Sequence, residues 1–222
     1  MIPYSYSGLI PRVPERALAL AHDPDVTLPA YADVAWRYQA PEPQGATPHC
    51  VAYSVCAIGQ AHGWHTTGHR HDYDEAAVYD EAKKKDGMPG VSGTTEEAGF
   101  DAALALGVFP AGTRRHALRS RVDVIEGLHR HLWVCAGFRI TEAWTASMMH
   151  EGRMPVLTAQ TLGYHEVVIV GFAEGVTDLD GVHILNWWGR HWGDDGFGFL
   201  PWRLFDRTFL GGSAIEFPER VR

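Results

Sequence analysis

The sequence has few cysteines, no long apolar run and no excess of positive charge. Three cysteines in 222 residues, Cys50, Cys56 and Cys135, exclude a disulfide framework and fit a reducing compartment. No stretch approaches the roughly eighteen apolar residues of a membrane-spanning helix, so no membrane partner is expected. The 19 basic and 27 acidic side chains give a net charge of −8. This charge excludes a protein that mainly binds the phosphate backbone of nucleic acid.

The composition is that of a globular chain. Apolar residues make up 45% and charged residues 21%, so the chain can bury a sizeable core. The N-terminal string MIPYSYSGLIPRVPERALALAHDP lacks a basic start followed by an apolar run. We therefore expect no cleaved signal and a cytoplasmic location. Residues 1–43 are rich in proline and predict an extended segment, with a short helix near 15–21.

Hydrophobic spacing and capping residues predict helices in the first half of the chain. They are expected at 49–62, from 72 or 74 to 85, and at 94–107. Gly63 is expected to end the first helix, and the pair Thr94 and Glu97 forms a T-x-x-E capping box for the third. The lysine run Lys83–Lys85 is expected on the solvated side of the second helix.

The second half of the chain predicts short strands separated by Gly or Asp. They are expected at 132–140, 154–160, 165–172, 182–188, 196–200 and 214–218, with a short helix at 141–152. Helices followed by strands indicate an α+β chain of two packed lobes, with the boundary near 112–122. A site between two such lobes is a common arrangement.

Three residues have the chemistry of a nucleophilic site. Cys50 stands where a loop becomes a helix, and the first-turn N–H groups favour a thiolate there. A thiolate near neutral pH needs a histidine as partner, and His165 begins an apolar strand in the second half. Asn186, further along, can hold one imidazole nitrogen in a fixed tautomer and leave the other for the thiol.

These residues stand in strings that resemble the papain-like cysteine peptidases, a signature described for that family. The family's Q-G-x-C-G-S-C-W-A-F-S is matched by QGATPHCVAYS, with Gln44 six residues before Cys50. Its H-A-V and hydrophobic strand are matched by HEVVIVGF from His165. Its N-S-W-G-x-x-W-G-x-x-G-Y is matched by NWWGRHWGDDGF from Asn186, which is the most specific of the three strings.

The resemblance covers roughly residues 30–217 and implies a fold. It implies a single papain-like unit over 1–222, with a helical lobe packed against an antiparallel β-barrel-like lobe and the active site in the cleft between them. The helical lobe, 44–118, carries Cys50. The β lobe, 119–217, carries His165 and Asn186, and 1–43 is an extended N-terminal segment. A bacterial or phage-type member without a conventional propeptide is expected.

The resemblance also implies the roles of individual residues. Cys50 is the nucleophile, His165 the acid–base and Asn186 its orienting partner. The Gln44 side chain and the Cys50 N–H hold the oxyanion. For substrate binding, Gly93 presents backbone to an extended peptide, and Trp188 shields the hydrogen bond between Asn186 and His165. The implied activity is hydrolysis of peptide or protein substrates through a thioester, with no cofactor and no metal.

Several positions depart from the family pattern. Thr47-Pro48-His49 replaces C-G-S before the nucleophile, and Trp187 replaces a Ser beside Asn186. Glu166 follows His165 where Ala or Gly is usual, and strand alternation predicts that it faces away from Cys50.

Three alternatives stay open on the sequence alone. The same Cys–His pair serves peptidoglycan endopeptidases and transpeptidases, which act on peptidoglycan fragments. A catalytically silent member could instead be a binding or structural protein. The histidines His62, His65, His69 and His71 could hold a metal, although their spacing fits no standard finger, and a solvated loop is favoured.

Overall fold

The computed structural model describes residues 8–12, 18–19, 31–38, 42–145, 152–156, 160–175 and 180–218. The helices are α1 (Cys50–Thr67), α2 (Glu75–Lys85), α3 (Glu96–Ala105), α4 (Arg121–His129) and α5 (Trp202–Thr208). Short 3-10 helices lie at Ala35–Arg37 and Glu142–Trp144. The strands are β1 (Leu18–Ala19), β2 (Tyr31–Asp33), β3 (Arg114–Leu118), β4 (Trp133–Ile140), β5 (Gly163–Ala173), β6 (Gly181–Leu185), β7 (Phe197–Pro201) and β8 (Phe209–Glu216).

The strands form one sheet in the order β1-β3-β8-β4-β5-β6-β7, and β2 pairs with the end of β5. Only β1 and β3 pair in parallel; the other described pairs are antiparallel. Among the described strands, β1 and β7 do not pair with each other, so the sheet is not closed. The expected α+β class is confirmed, whereas the barrel-like lobe is corrected to an open sheet.

Helix α1 is the centre of the helical part. It contacts α2, α3 and β5, which accounts for the many buried residues along its length. Glycines allow these close contacts. A Cβ on Gly99 of α3 would overlap Val51, and a Cβ on Gly59 would lie 2.6 Å from Val108. Helix α3 therefore packs directly on the turn of α1 that carries Cys50.

The predicted helices are present with shifted ends. Helix α1 continues past Gly63 and ends at Gly68, whose φ of 71° suits a glycine. A Cβ on Gly63 would lie 3.0 Å from the His71 ring, so this glycine provides space for a neighbouring segment rather than a helix end. Asp74 caps α2 as expected, but the cap of α3 is Thr95 and not Thr94.

The remaining elements differ more from the predictions. Strand β3 and the helices α4 and α5 were not expected, because charged residues interrupt the apolar pattern in each. Leu18–Ala19 form β1 instead of part of a helix, and the rest of 15–21 lies outside the described residues. The predicted helix at 141–152 appears as one 3-10 turn, with 146–151 outside the described part. Residues 154–156 and 160 are not in a strand, and 157–159 are not described.

Within the described ranges, no helix combines the length and the apolar character needed to cross a membrane.

Candidate active site

Cys50 is the first residue of α1, and its side chain is fully buried. The residue before it, His49, makes no side-chain cap. The first-turn N–H groups therefore remain directed at the start of the helix. The backbone N–H groups of Cys50, Val51 and Glu166 all favour the thiolate form of Cys50. Because Glu166 directly follows His165 in β5, the Cys50 sulfur lies beside the strand that carries His165.

His165 is held by Asn186 in one tautomer. The His165 Nε2 lies 2.7 Å from the Asn186 Oδ1, which also accepts the backbone N–H of Trp187 at 2.8 Å. The Asn186 oxygen is thus an acceptor, so Nε2 must carry the proton and Nδ1 has a lone pair. The buried Nδ1 has no hydrogen-bond partner among the residues that are described. It is the nitrogen available to a thiol.

Trp188 covers the His165–Asn186 pair. Its ring lies 4.8 Å from the imidazole centroid at an interplanar angle of 31°. Edge contacts with Trp144 and Trp192 hold it in place, and only 3% of it is exposed. The Trp188 ring thus lies over the imidazole, and its shielding role stays a prediction.

Burial favours the neutral form of both Cys50 and His165. Burial and the charge of Glu166 raise the pKa of the Cys50 thiol, and the three backbone N–H groups offset this only in part. Burial lowers the pKa of His165 to about 4, against the opposing effect of the Asn186 hydrogen bond. Both effects of burial act toward a thiol and an imidazole and against a thiolate and an imidazolium.

Gln44 lies in the loop before Cys50 and is buried. Its backbone N–H donates to the Trp187 carbonyl at 2.8 Å, which joins the loop to the end of β6. Its side-chain Nε2 donates to the Thr47 carbonyl at 2.7 Å. One of the two amide hydrogens is thus engaged within the loop.

Residues 8–10, which we call the N-terminal strap, cover the cysteine. The Thr94 N–H donates to the Gly8 carbonyl at 3.0 Å, and the Ile10 N–H donates to the Thr94 carbonyl at 2.8 Å. A Cβ on Gly8 would lie only 2.6 Å from the Cys50 Sγ, so the strap backbone lies directly on the thiol. The strap excludes any substrate from the sulfur while it is bound.

The strap also fills a side-chain position in the cleft. The Leu9 side chain is buried, and a Cβ on Gly137 of β4 would overlap it. The Leu9 N–H faces the Tyr164 carbonyl of β5 at 3.5 Å. The strap is therefore held from both sides, by Thr94 on the helical side and by β4 and β5 on the sheet side. No motif in the sequence marks Gly8 and Leu9 as the residues of this contact, because they lie far from Cys50 along the chain.

Gly93 has both of its peptide groups engaged inside the protein. Its N–H donates to the Tyr79 hydroxyl at 3.2 Å, and its carbonyl accepts from the Lys83 Nζ at 3.0 Å. The neighbouring residue, Thr94, is the one whose backbone pairs with the strap. The substrate-binding role of Gly93 stays a prediction.

A buried acidic cluster lies behind the site, and sequence reasoning missed it. Glu166 is fully buried, and its pKa is raised well above the usual range by burial and then by the charge of Glu96. Burial also raises the pKa of Glu96, whose Oε1 lies 3.6 Å from the Cys135 Sγ. Glu166 was expected to face away from Cys50, and that orientation stays a prediction; a charge on its carboxylate would raise the pKa of the Cys50 thiol. A glutamate inside the apolar run HEVVIVGF was the available signal.

The histidine cluster forms no metal site within the described residues, where no three His, Cys, Asp or Glu side chains are grouped to hold an ion. His62 stacks on Phe217 with ring centroids 3.7 Å apart and meets the edge of Trp133. His65, His69 and His71 are exposed.

No protein-family model matches the sequence, and no curated protein matches it significantly. Solved structures do match. Xylellain, a cysteine protease from Xylella fastidiosa, has a TM-score of 0.79 at 18% identity, covering 99% of this chain and 98% of that one. Procathepsin B S9 from Trypanosoma congolense has a TM-score of 0.72 at 14% identity, with 96% and 87% covered. The digestive procathepsin L2 proteinase of Tenebrio molitor larval midgut has a TM-score of 0.73 at 17% identity, with 96% and 78% covered.

These similarities span nearly the whole chain at low sequence identity, so they establish the fold. The resemblance inferred from the Cys50, His165 and Asn186 strings is confirmed at that level: the chain has the fold of the papain-like cysteine proteases.

Proposed function

We propose that this protein is a cysteine peptidase that cleaves peptide bonds through a thioester on Cys50. The observation that carries the proposal is the Asn186–His165 hydrogen bond of 2.7 Å, which leaves the His165 Nδ1 unprotonated, one residue along β5 from the Glu166 backbone N–H that acts on the Cys50 thiol. A neutral thiol becomes a strong nucleophile when such a base takes its proton. The fold shared with known cysteine proteases supports the same assignment.

Cys50 and His165 supply and accept the protons in each step of the proposed reaction. The Cys50 proton moves to the His165 Nδ1 as the sulfur attacks the peptide carbonyl carbon. The imidazolium then protonates the amide nitrogen of the leaving group, the C–N bond breaks, and a thioester remains. A water molecule attacks the thioester while His165 takes its proton. The acid is released, and that proton returns to the sulfur.

The oxyanion would be bound by two donors. The Cys50 N–H belongs to the first turn of α1, and the second amide hydrogen of Gln44 lies in the preceding loop. Each such donor typically contributes a factor of about 100 to 1000 in rate. Trp188 keeps the His165–Asn186 hydrogen bond dry, which holds the tautomer through the cycle.

Turnover requires that the strap leave the cleft. Once it does, the Thr94 N–H and carbonyl can bind an extended peptide, and the space that Leu9 occupies can take an apolar side chain. Solvent also reaches the Cys50–His165 pair, which removes much of the burial that favours the neutral form of both groups. The substrate class that fits is a peptide or an unfolded protein segment with an aliphatic residue near the cleaved bond.

Two other readings remain as alternatives. A silent binding protein is favoured by the covered thiol and by the raised pKa of Cys50. Peptidoglycan fragments could enter the same cleft, since they also contain amide bonds. The cytoplasmic location stays a prediction.

The test is covalent labelling with an epoxysuccinyl inhibitor of papain-like enzymes, followed by intact mass. We expect one adduct on a Leu9→Asp variant, in which a charge on the strap meets an apolar pocket and releases the cleft. The adduct should be absent in Leu9→Asp/Cys50→Ala and strongly slowed in Leu9→Asp/His165→Ala. If Cys50 in the strap-released protein reacts no faster than a free thiol, the peptidase proposal fails and the silent reading replaces it.

A further inference from the structure

Lys83 has surroundings unlike those of its neighbours in the lysine run. Its Nζ lies within 3.0 Å of four oxygen atoms: the Asp86 carboxylate at 2.6 Å and the carbonyls of Met88, Val91 and Gly93 at 3.0, 2.9 and 3.0 Å. Only 18% of its side chain is exposed, against 70% for Lys84. The run was expected on a solvated helix face, and Lys84 fits that expectation, whereas Lys83 is directed into the loop that follows α2.

Tyr79 lies one turn before Lys83 on the same face of α2. Its hydroxyl accepts the Gly93 N–H at 3.2 Å. Its ring stacks on His49, the residue before Cys50, with centroids 4.1 Å apart. Helix α2 therefore holds the N–H of Gly93 through Tyr79 and the carbonyl of Gly93 through Lys83, and it contacts the start of α1 at the same time.

Asp86 links Thr94, the residue after Gly93, to the same network of hydrogen bonds. Its buried carboxylate accepts from the Thr94 hydroxyl at 3.1 Å and from Lys83, and it also accepts the Met88 N–H at 2.8 Å. The side chain of Thr94 and the peptide groups before it are thus fixed from behind. The N–H and carbonyl of Thr94 itself face the cleft, where they now pair with the strap.

We propose that Lys83 is a positioning residue which, with Tyr79 and Asp86, fixes Thr94 in the orientation that binds an extended chain in the cleft. The inference rests on the proposed peptidase function for its substrate, but the strap is bound by the same Thr94 groups. Without Lys83, the loop carbonyls and the buried Asp86 lose their shared cationic donor. The strap, or a substrate peptide, must then order the loop before it can bind Thr94, and this cost weakens its binding.

The experiment compares Lys83→Met and Tyr79→Phe with Lys84→Met, a matched control on the same helix. The first readout is the rate at which iodoacetamide alkylates Cys50, with Cys56 and Cys135 as internal references for opening of the whole fold. We expect a rise of about tenfold for Lys83→Met and a smaller rise for Tyr79→Phe, because the strap loses its Thr94 partner. Lys84→Met should match the unmodified protein.

The second readout is the ratio of kcat/KM for a tetrapeptide amide, long enough to reach Thr94, to that for a single-residue ester. Competition by the strap affects both substrates equally and cancels in the ratio. We expect a fall of about tenfold for Lys83→Met, carried by KM, with kcat nearly constant.

Unchanged values of both readouts would overturn the inference, and so would equal acceleration at Cys56 and Cys135. Tyr79→Phe decides alone if Lys83→Met does not fold. If the strap-released protein cleaves neither substrate, the peptidase proposal fails. The alkylation rates then decide by themselves whether Lys83 positions Thr94.

Discussion

At the scale of single residues, the buried Glu166 gives a stability prediction with a definite sign. Its pKa is raised in the folded protein, so folding favours the protonated carboxyl, and stability falls as pH rises above the unfolded value of about 4.3. Glu166→Gln keeps the shape of the protonated form and cannot ionise. We expect it to gain stability over the natural protein by up to about 1.4 kcal/mol per pH unit above that value.

Urea unfolding at pH 4.5 and pH 7 measures this difference. The lowered pKa of His165 acts in the opposite direction, with stability lost as pH falls from its unfolded value of about 6.5 toward 4. That effect is present in both proteins and cancels in the comparison. If Glu166→Gln and the natural protein have equal free energies of unfolding at pH 7, ionisation of Glu166 does not destabilise the folded protein.

The sequence predicted candidate residues for the site, but it did not predict the environments of those residues. The order of Cys50, His165 and Asn186 in specific strings was enough to predict which side chains to examine. The sequence did not reveal that Lys83 has four oxygen neighbours while Lys84 is exposed. That difference depends on where the loop after α2 folds back, which is a long-range contact.

At the scale of elements, the strap gives a prediction about access to the thiol. A valine at position 8 has a Cβ that would lie 2.6 Å from the Cys50 Sγ and 3.0 Å from the Pro48 carbonyl. We expect Gly8→Val to displace the strap and to speed alkylation of Cys50 at pH 7 by an order of magnitude or more. Arg12→Ala, at an exposed position beyond the strap, is the control.

Peptide mapping after brief exposure to iodoacetamide gives the rate at each cysteine. If alkylation is faster at Cys50 alone, the strap opens without unfolding of the rest of the protein. A rate equal to that of the natural protein would mean that Gly8 does not restrict access to the sulfur.

Elements were predicted best where one periodicity dominated. Helix α2 has a capping aspartate and ends in a lysine run, and its predicted bounds lie close to the observed ones. Strand β3 begins with two arginines and a histidine. Because these polar residues occupy buried as well as exposed positions, the strand shows no alternation of apolar and polar residues. Helix α1 passed through Gly63 because a neighbouring segment packs there, which helix propensity alone cannot show.

At the scale of the whole molecule, Trp187 links the helical part to the sheet. Its Nε1 donates to the Ser54 hydroxyl on α1 at 3.2 Å and to the Glu166 carbonyl on β5 at 3.1 Å. We expect Trp187→Phe, which retains the ring contact but removes this donor, to lower the free energy of unfolding by about 1–3 kcal/mol. Trp64→Phe, at a side chain that is 52% exposed, should change it by less than about 0.5 kcal/mol.

Unfolding followed by tryptophan fluorescence and by far-UV circular dichroism tests this. Coincident transitions in both variants indicate that the helices and the sheet unfold together. A Trp187→Phe protein as stable as Trp64→Phe would show that the shared donor does not stabilise the packing of α1 on the sheet.

The α+β architecture was predicted from the order of helices and strands, whereas the barrel-like lobe implied by the resemblance is an open sheet among the described strands. Closure depends on which strands pair at the edges, and among the described strands β1 pairs only with β3, while β7 lies at the other end. Edge pairing is set by tertiary contacts between distant segments, which the spacing of apolar residues does not encode.

The strap belongs to the same polypeptide as the cysteine it covers, so it acts as a tethered competitor. Its local concentration at the cleft is set by the intervening chain and is independent of how much protein is present. Dilution therefore leaves the cleft closed. A free peptide must exceed that local concentration, weighted by relative affinity, before it gains access. A protease that cuts the tether, or a partner that captures the strap, would remove this intramolecular advantage in a single step.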